Sequence, residues 1–509
     1  MTDLINILAQ ELSLQPWQVE QAIALQADGA TIPFIARYRK ERTGEMDETQ
    51  LRDLFDRHAY LTEIATRKAT ILQEIERQGK LTPELVAKIT DCTVKTELED
   101  LYLPYRPKRR TRATIARERG LERLATQIAA ANTPQSPPIE LTQLATPFMN
   151  PNQAIDTPDA ALQGAADILA EGVAERADLR ALVRQRLLDQ GQWVSRIKAD
   201  YPAGSTKYEM YREFAIALKK AAPHHVLALL RGEKEGILKT DVELAVEQLL
   251  ADIETEVIIS RDRDLRQFYR NLIADAYQRL MRNSLTSEVI SAKKAWADEA
   301  SVRTFEANLR NLLLAAPAGM QPTLGVDPGF RTGCKVAAVS DTGQFLGYEA
   351  IFPHQAVAQR EKAAKTLVGM IHKHGIKLIA IGNGTASRET DAFVGEVLQT
   401  LDNPPIKVMV SESGASVYSA SQVAIAEFPD LDITVRGAIS IARRLQDPLA
   451  ELVKLDPKSI GVGQYQHDVD QKLLKKKLEE TVESCVNYVG VDLNTASKEL
   501  LTFVSGLSS

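Results

Sequence analysis

Cysteine is scarce in this sequence, with Cys92, Cys334 and Cys485 spread over 509 residues. Three thiols cannot all form pairs, and no C-x-x-C motif is present, which argues against a disulfide framework or a local zinc knuckle. Free cysteines fit a reducing compartment, so we expect a cytoplasmic protein.

Long hydrophobic runs are also missing. No apolar stretch approaches the ~18 residues that a membrane span requires, and the N-terminus lacks a basic segment followed by an apolar run. The sequence therefore predicts neither a membrane span nor a signal peptide.

An excess of charge of one sign is absent as well. The 62 Lys and Arg residues nearly balance the 68 Asp and Glu residues, which leaves a net charge of −6. This balance excludes a globally basic nucleic-acid coat protein and an acidic disordered protein, although it permits local clusters of charge. The hydrophobic content of 44% is typical of globular proteins, and a chain of this length predicts roughly three to five domains.

The N-terminal half of the chain shows the residue spacing of amphipathic helices. The pattern predicts one long helix over Asp47–Gln78 and helical structure over Pro158–Gln190. Short strands are predicted near Trp193–Ile197 and Ile237–Val242. Residues 132–158 carry six prolines and few charges, and this composition predicts a linker.

The hydrophobic period changes from 3.6 to 2 at Thr323, which indicates a sheet. The predicted elements that follow are three strands (Thr323–Asp327, Cys334–Ser340, Phe345–Phe352), a helix (Val357–His374), a strand (Lys377–Ile381), a helix (Arg388–Leu401), a strand (Ile406–Val410) and late helices. This order is that of the RNase H-like fold, which actin-like ATPases and RuvC-type resolvases also use. The sequence therefore predicts a multidomain, mainly α chain that contains an α/β RNase H-like domain.

Acidic residues stand at the ends of elements in this predicted domain. RNase H-like nucleases bind two Mg²⁺ ions with several carboxylates, because hard cations prefer oxygen ligands and the two ions clamp the scissile phosphate. Asp327 ends the first strand, Glu412 follows the fifth, and Asp447 lies at the end of the late helix. Asn383 takes the acidic position after the fourth strand, and its amide is a weak neutral ligand.

These residues predict a candidate catalytic site of Asp327, Glu412 and Asp447 that Asn383 makes degenerate. If the site is active, Mg²⁺ is its cofactor and Asp327 and Asp447 are its metal ligands; otherwise we expect no cofactor. The structural alternative is that Asp327 caps a turn before Pro-Gly and that Asp447 ends a helix before Pro448.

A glycine-containing loop, Gly382–Ser387, leads from the fourth strand into a helix. Backbone N–H groups at such a helix start can bind a phosphate, so an actin-like ATPase that uses Asp327 and this loop is a third hypothesis. A tight strand-to-helix turn explains the same residues, because short glycine motifs are weak evidence.

Two short segments concentrate positive charge beside aromatic residues, a combination that can neutralise phosphates and stack bases. One contains Arg37, Arg39, Lys40 and Arg42. The other contains Arg106, Lys108, Arg109, Arg110 and Arg112 beside Pro104 and Pro107, and these prolines indicate a loop. For the first segment a solvated helix face is the stronger interpretation. For the second, an inter-helix loop whose arginines bind neighbouring acids is equally favoured.

Several stretches that span nearly the whole chain resemble the Tex family of bacterial transcription accessory proteins. They are Thr31–Gly44, Tyr102–Arg112, Leu230–Gly236, Gly325–Gly333, Ile381–Glu389, Ser459–Asp468 and Gly490–Ser497. The resemblance implies an N-terminal helical domain with a helix-turn-helix-like part, a YqgF-type RNase H-like domain without a complete nuclease site, helix-hairpin-helix modules and a C-terminal OB-fold RNA-binding domain.

The expected domains are an N-terminal helical domain (1–196), a central mostly helical region (197–318), a YqgF-type RNase H-like domain (319–455) and an incomplete helix-hairpin-helix region (456–509). The sequence stops before a second hairpin helix and an OB domain, to which the family's main nucleic-acid contacts are attributed. We expect a monomeric transcription accessory protein that binds RNA or DNA non-specifically and contacts the transcription machinery.

Overall fold

The structure is a computed structural model that describes residues 2–135, 138–491 and 496–507. The chain folds into two compact units. The first contains Met1–Glu20 and Thr49–Ala297, and the second contains Gln21–Glu48 and Asp298–Ser509. Part of the predicted linker (136–137) and part of the last resemblance motif (492–495) lie outside the described residues.

Helices dominate both units. Up to residue 313 they are α1 (Thr2–Glu11), α2 (Pro16–Ala27), α3 (Ile32–Tyr38), α4 (Lys40–Thr43), α5 (Glu48–Arg77), α6 (Pro83–Asp91), α7 (Lys95–Tyr102), α8 (Arg112–Glu118), α9 (Glu122–Ala130), α10 (Leu141–Ala145), α11 (Pro158–Ala174), α12 (Ala177–Gln190), α13 (Pro223–Lys234), α14 (Val246–Val257), α15 (Arg263–Asp275) and α16 (Arg282–Leu313). Among the described helices, none is both long enough and apolar enough to cross a membrane.

The remaining helices belong to the second unit. They are α17 (Val357–His374), α18 (Ser387–Leu398), α19 (Ala415–Ser419), α20 (Gln422–Glu427), α21 (Ile433–Gln446), α22 (Pro448–Leu452), α23 (Gln471–Val489) and α24 (Lys498–Leu501).

The first unit contains a small antiparallel sheet. Its strands are β1 (Gln192–Ile197), β2 (Glu213–Ala217) and β3 (Leu238–Glu243), in the order β2-β1-β3. The sequence predicts β1 and β3 but not β2, because β2 has a single β-branched residue, Ile216, and therefore little strand propensity.

The prediction of a linker over residues 132–158 is wrong for its described part. This segment forms α10 and two short 3-10 turns, Thr146–Phe148 and Pro151–Gln153. Ala145 and Ile155 are buried, and α10 packs against α11. Pro147 and Pro151 lie at the first or second positions of the 3-10 turns, and Pro158 is the first residue of α11, where the missing N–H costs nothing.

The second unit contains a five-stranded sheet. Its strands are β4 (Thr323–Asp327), β5 (Cys334–Val339), β6 (Phe345–Ile351), β7 (Leu378–Gly382) and β8 (Ile406–Val410), in the order β6-β5-β4-β7-β8. The pairs β4–β5 and β5–β6 are antiparallel, whereas β4–β7 and β7–β8 are parallel. The predicted fold class, a mainly helical chain with an α/β RNase H-like domain, is therefore confirmed.

Helices cover both faces of this sheet because its central strands are apolar on both sides. Leu324 and Val326 of β4 join the core that α17 and α18 cover. On the other face α21 packs over β4 and β5, with Ala438 and Ala442 among its buried residues. Alternate residues of β4 thus face α21, and Asp327 belongs to that set.

Residues 21–48 fold into the second unit, although the sequence analysis assigns them to the N-terminal domain. Side-chain hydrogen bonds join this segment to the C-terminal helices. Thr31 Oγ1 lies 3.2 Å from Ser505 Oγ, and Ser484 Oγ donates to Glu48 Oε2 at 2.6 Å. Such contacts between distant residues leave no local sequence signal.

Gly325 sets the distance between β4 and α21, and this generates a stability prediction. A Cβ at Gly325 would lie 2.0 Å from the Ala438 carbonyl oxygen and 2.9 Å from the Ala442 nitrogen. Both atoms are backbone, so Gly325→Ala must push α21 away from the sheet, and we expect a loss of about 1–3 kcal/mol in unfolding free energy.

Gly369→Ala on α17 is the matched control, because nothing lies within 4 Å of its added Cβ, and we expect a gain of about 0.4–1 kcal/mol there. Denaturant unfolding followed by circular dichroism measures both variants. A Gly325→Ala variant as stable as the parent would contradict the tight β4–α21 contact.

Candidate carboxylate site and basic surfaces

Asp327 is placed by the packing of β4 on α21. It is the last residue of β4, and its partner across the β4–β5 pair is Lys335. Its Oδ2 atom lies 3.3 Å from the point where a Cβ on Gly437 would stand. The carboxylate therefore lies against the first half of α21, where the helix presents no side chain.

The charge on Asp327 is disfavoured by its surroundings. Burial, with a smaller contribution from the nearby Glu412 carboxylate, raises the pKa of Asp327 from 3.8 to about 6, and Lys335 only partly opposes this. Lys335 donates to the carbonyl oxygens of Thr332 and Gly333, so its ammonium group is shared with the backbone. The carboxyl group of Asp327 is consequently half protonated near pH 6 and still about one tenth protonated at pH 7.

Glu412 lies over the glycine loop that follows β7. A Cβ at Gly384 would lie 1.5 Å from Glu412 Oε1, and a Cβ at Gly382 would lie 2.5 Å from Glu412 Oε2. Oε2 is buried and has no hydrogen-bond partner among the described residues. Asn383 fixes the backbone of Glu412, because the Oδ1 atom of Asn383 accepts a hydrogen bond from Glu412 N at 3.1 Å.

The same contacts argue against a phosphate in the loop Gly382–Ser387. The Glu412 carboxylate fills the space beside the loop backbone, and a phosphate there would meet a negative charge. Ala386, at the start of α18, has a φ of 68°, which is unusual for a residue with a Cβ and indicates a tight strand-to-helix turn. The actin-like ATPase hypothesis is weakened accordingly.

The expectation that Asp447 lies beside Asp327 is wrong. Asp447 is exposed and caps α22, where its Oδ1 accepts from Ala450 N at 3.0 Å. It lies ten residues beyond Gly437, the residue of α21 that touches Asp327, and ten residues of α-helix span about 15 Å. Asp447 therefore belongs to the opposite end of β4, and its role is that of the structural alternative.

The remaining side chains do not form a two-metal site. The sequence of α21, ITVRGAISIARRLQ, contains no acid that could replace Asp447. In residues 2–135, 138–491 and 496–507, no group of three or more His, Cys, Asp or Glu side chains is arranged to hold a metal ion. Asp327, Glu412 and Asn383 meet, but two carboxylates and one amide engaged with the backbone do not fit a pair of Mg²⁺ ions.

Arg444 is a component of this region that the sequence analysis missed. Its Nη1 donates to the carbonyl oxygens of Ser411 and Ser413 at 2.8 and 2.7 Å, on either side of Glu412. The side chain is buried, and desolvation lowers the pKa of Arg444. In the sequence Arg443-Arg444 looks like an ordinary solvated pair, and only the fold shows that the second arginine orders the residues around Glu412.

The loop between α7 and α8 carries the larger basic segment, and two of its cations are already paired. Lys108 Nζ lies 2.6 Å from Glu175 and 3.4 Å from Glu171. Arg110 lies 3.0 Å from Glu118 in an exposed pair. The acids that hold these cations are Glu118 of α8, Glu171 of α11 and Glu175 at the end of α11.

Three further exposed arginines are Arg106 and Arg109 of this loop and Arg112, the first residue of α8. Within the described residues, none of these three side chains forms an ion pair or a side-chain hydrogen bond. We call them the loop arginines. Arg106 is close enough to Glu99 to contribute to the lowered pKa of that carboxyl group, and Arg112 partly opposes the effect of burial on the pKa of Asp167. None of the three is held in an ion pair as Lys108 is.

The smaller basic segment is divided in the same way. Arg37 is partly buried and donates to the carbonyl oxygen of Asn487, and its other terminal nitrogen lies 3.3 Å from Glu48. Arg37 thus has a structural role.

Arg42 donates to Gln21 Oε1 at 2.8 Å, and Arg39 lies over the ring of Phe34. Lys40 is exposed, with no ion pair in the described part of the chain. Lys40 therefore keeps its charge accessible, whereas Arg39 is half-buried and donates to the carbonyl oxygen of Tyr38 at 2.7 Å.

Comparison with known proteins identifies the family. The family profile described as "Tex protein YqgF-like domain" matches residues 321–446, "Tex-like protein N-terminal domain" matches 2–76 and "Tex central region-like" matches 136–305. The chain belongs to the Tex family.

Curated relatives extend this Tex assignment over the full chain. Protein tex of Bordetella pertussis is 46% identical over 525 residues, which cover 99% of this chain and 65% of the relative. Transcriptional accessory protein Tex of Neisseria gonorrhoeae is 46% identical over 512 residues, covering 99% and 66%. S1 RNA-binding domain-containing protein 1 of Homo sapiens is 34% identical over 525 residues, covering 100% and 52%. The chain thus spans about two thirds or less of these relatives' length.

The raised pKa of Asp327 generates a pH prediction. Below about pH 4 the Asp327 carboxyl group is protonated in both the folded and the unfolded chain. Between about pH 4 and 6 only the folded chain retains this proton. Ionisation of Asp327 therefore lowers the free energy of unfolding as the pH rises. Asp327→Asn removes this cost, and we expect the variant to gain up to about 3 kcal/mol over the parent above pH 7 and nothing near pH 4.

Thermal unfolding between pH 4 and 8 measures this difference. Asp341→Asn, in the exposed turn between β5 and β6, is the matched control and is expected to parallel the parent. Parallel curves for Asp327→Asn as well would show that this carboxylate is not destabilised by its site.

Proposed function

We propose that this Tex-family chain is a transcription accessory protein that binds RNA or DNA without sequence specificity, and that its RNase H-like domain has no catalytic activity. The observation that carries the proposal is the exposure of the three loop arginines between Tyr105 and the first turn of α8, where none of them forms an ion pair with a described residue. Phosphate neutralisation by clustered cations supplies most of non-specific affinity. The net charge of −6 restricts such binding to local surfaces.

The names of relatives support the same function. One relative is named a transcriptional accessory protein, and another is named for an S1 RNA-binding domain. On this basis we propose RNA or DNA and the transcription machinery as partners, a cytoplasmic location and a monomeric state. The RNase H-like domain then serves as a scaffold or an interaction surface.

The absence of catalysis is argued from the carboxylate site. Asp327 and Glu412 are the residues that would hold a Mg²⁺ ion, but Asp447 caps α22 about 15 Å away along α21. Asn383 uses its oxygen to bind the backbone. The nuclease alternative therefore lacks two of its four expected ligands, and the ATPase alternative lacks a free phosphate loop.

Reversing the three loop arginines to glutamate tests phosphate binding. If each contacts one phosphate, affinity falls for every sequence and the dependence of log K on log salt weakens by about one unit per lost contact. Titration of a fluorescent single strand at several salt concentrations measures both quantities.

A matched control reverses Lys362, Lys365 and Lys373, three exposed lysines of α17, and produces the same change in net charge. Equal losses of affinity in the two triple variants would mean that only the change in net charge matters and not the position of the arginines. An unchanged salt slope in the arginine variant would make the loop structural.

The catalytic part of the proposal is tested separately. We expect no Mg²⁺- or Mn²⁺-dependent cleavage of structured DNA or RNA and no ATP turnover above the level of an Asp327→Asn preparation, which reports contaminating activity. Cleavage by the parent that disappears in Asp327→Asn would establish the nuclease alternative.

A further inference from the structure

We propose that the ends of α3 and α23 form a platform on which the bases of a single-stranded nucleic acid stack. The platform consists of Phe34, Tyr38 and Arg39 on one side and Tyr488 and Arg310 on the other. The inference rests on the proposed function and names a second binding surface, different in chemistry from the loop arginines.

The first half of the platform is a short ladder of two aromatic rings and one guanidinium group, in which the ring planes are tilted by 48° to each other. The Phe34 and Tyr38 rings lie 5.5 Å apart between centroids, and the Arg39 guanidinium carbon is 4.9 Å from the centre of the Phe34 ring. Tyr38 is 55% exposed, so the ladder ends in an open aromatic ring. Flat rings backed by cations are the groups on which bases stack irrespective of sequence.

The second half repeats this chemistry on a different element. The Arg310 guanidinium carbon lies 5.7 Å from the centre of the Tyr488 ring, and Tyr488 is 65% exposed. Arg310 is on α16, and its Nη1 atom lies 3.5 Å from Oγ of Ser484, which is on α23 together with Tyr488. Tyr488 thus has an arginine over its own ring, whereas on the other side Arg39 lies over Phe34, the ring beside Tyr38.

Hydrogen bonds around Asn487 connect the chain segments that carry the two halves. Arg37, next to Tyr38 in the chain, donates to the carbonyl oxygen of Asn487, next to Tyr488. The side chain of Asn487 is itself bonded on both sides, since it donates to Phe503 O at 2.8 Å and accepts from Ser505 N at 2.9 Å. The chain segments that carry Tyr38 and Tyr488 therefore meet at a fixed contact, and such pre-organisation lowers the entropy cost of binding.

The charges nearby indicate that stacking, not phosphate attraction, makes the main contribution here. Arg39 and Lys40 are followed by the exposed acids Glu41 and Glu45, which offset their attraction for phosphates. A duplex keeps its bases within its own stack, so a surface that depends on base faces favours single strands.

The test compares the parent with the double variant Tyr38→Ala, Tyr488→Ala. Binding of a short single strand is measured beside an abasic strand with the same number of phosphates and beside a duplex. We expect the double variant to bind the normal strand about 5- to 100-fold more weakly with an unchanged salt slope. The parent should also bind the abasic strand more weakly than the normal strand, and this comparison needs no substituted protein.

Two controls separate stacking from other effects. The double variant Tyr38→Phe, Tyr488→Phe keeps the rings and should retain the parent's affinity. Tyr348→Ala removes a tyrosine that is 52% exposed on β6 and should not change binding. Unfolding midpoints of all variants show whether the fold is intact.

The outcomes distinguish the platform from the proposed function. If the parent binds normal and abasic strands equally well, or if the alanine variant keeps full affinity, the platform is wrong and the proposed function stands. If the parent binds none of the three nucleic acids, the proposed function fails and the platform fails with it.

Discussion

The close approach of β4 to α21 is the constraint on which the second unit depends. Gly325 allows the backbone of the strand to lie against Ala438 and Ala442 with no intervening side chain, and this packing determines which part of α21 faces each residue of β4. Asp327 consequently meets Gly437. The position of Asp327 therefore follows from the lack of space for a side chain at Gly325, two residues earlier in the same strand.

Glycine has a second role at the same edge of the sheet. Gly382 and Gly384 leave the space that Glu412 fills, while Arg444 binds the carbonyl groups on either side of Glu412. The result is a buried carboxylate oxygen without a partner beside an aspartate with a raised pKa. Such an arrangement costs stability, and in a metal-dependent nuclease bound cations would offset the cost. In this chain Asp327 and Glu412 stand at this edge of the sheet, whereas Asp447 caps α22.

Local sequence patterns predict local structure in this chain, and they fail where distant residues decide. The bounds of α17 and β8 agree with the hydrophobic pattern to the residue, because periodicity reports which face of an element is buried. Asp447 could not be placed in this way. Its distance from Asp327 depends on the length and direction of α21 across the sheet, and an acid at a helix end has the same sequence signal whether it caps or catalyses. Arg444 had no signal at all.

The basic segments show the same limit for function. Arg37 and Lys108 belong to cationic runs, yet one binds a backbone carbonyl and an acid and the other binds two acids. A positive charge that is already neutralised must break those contacts before it can bind a phosphate, so its net contribution is small. The neighbours that remain exposed owe their availability to these contacts, because the paired residue fixes the segment from which they project. In each segment, the cation that holds the fold and the cations that can meet a ligand are therefore different residues.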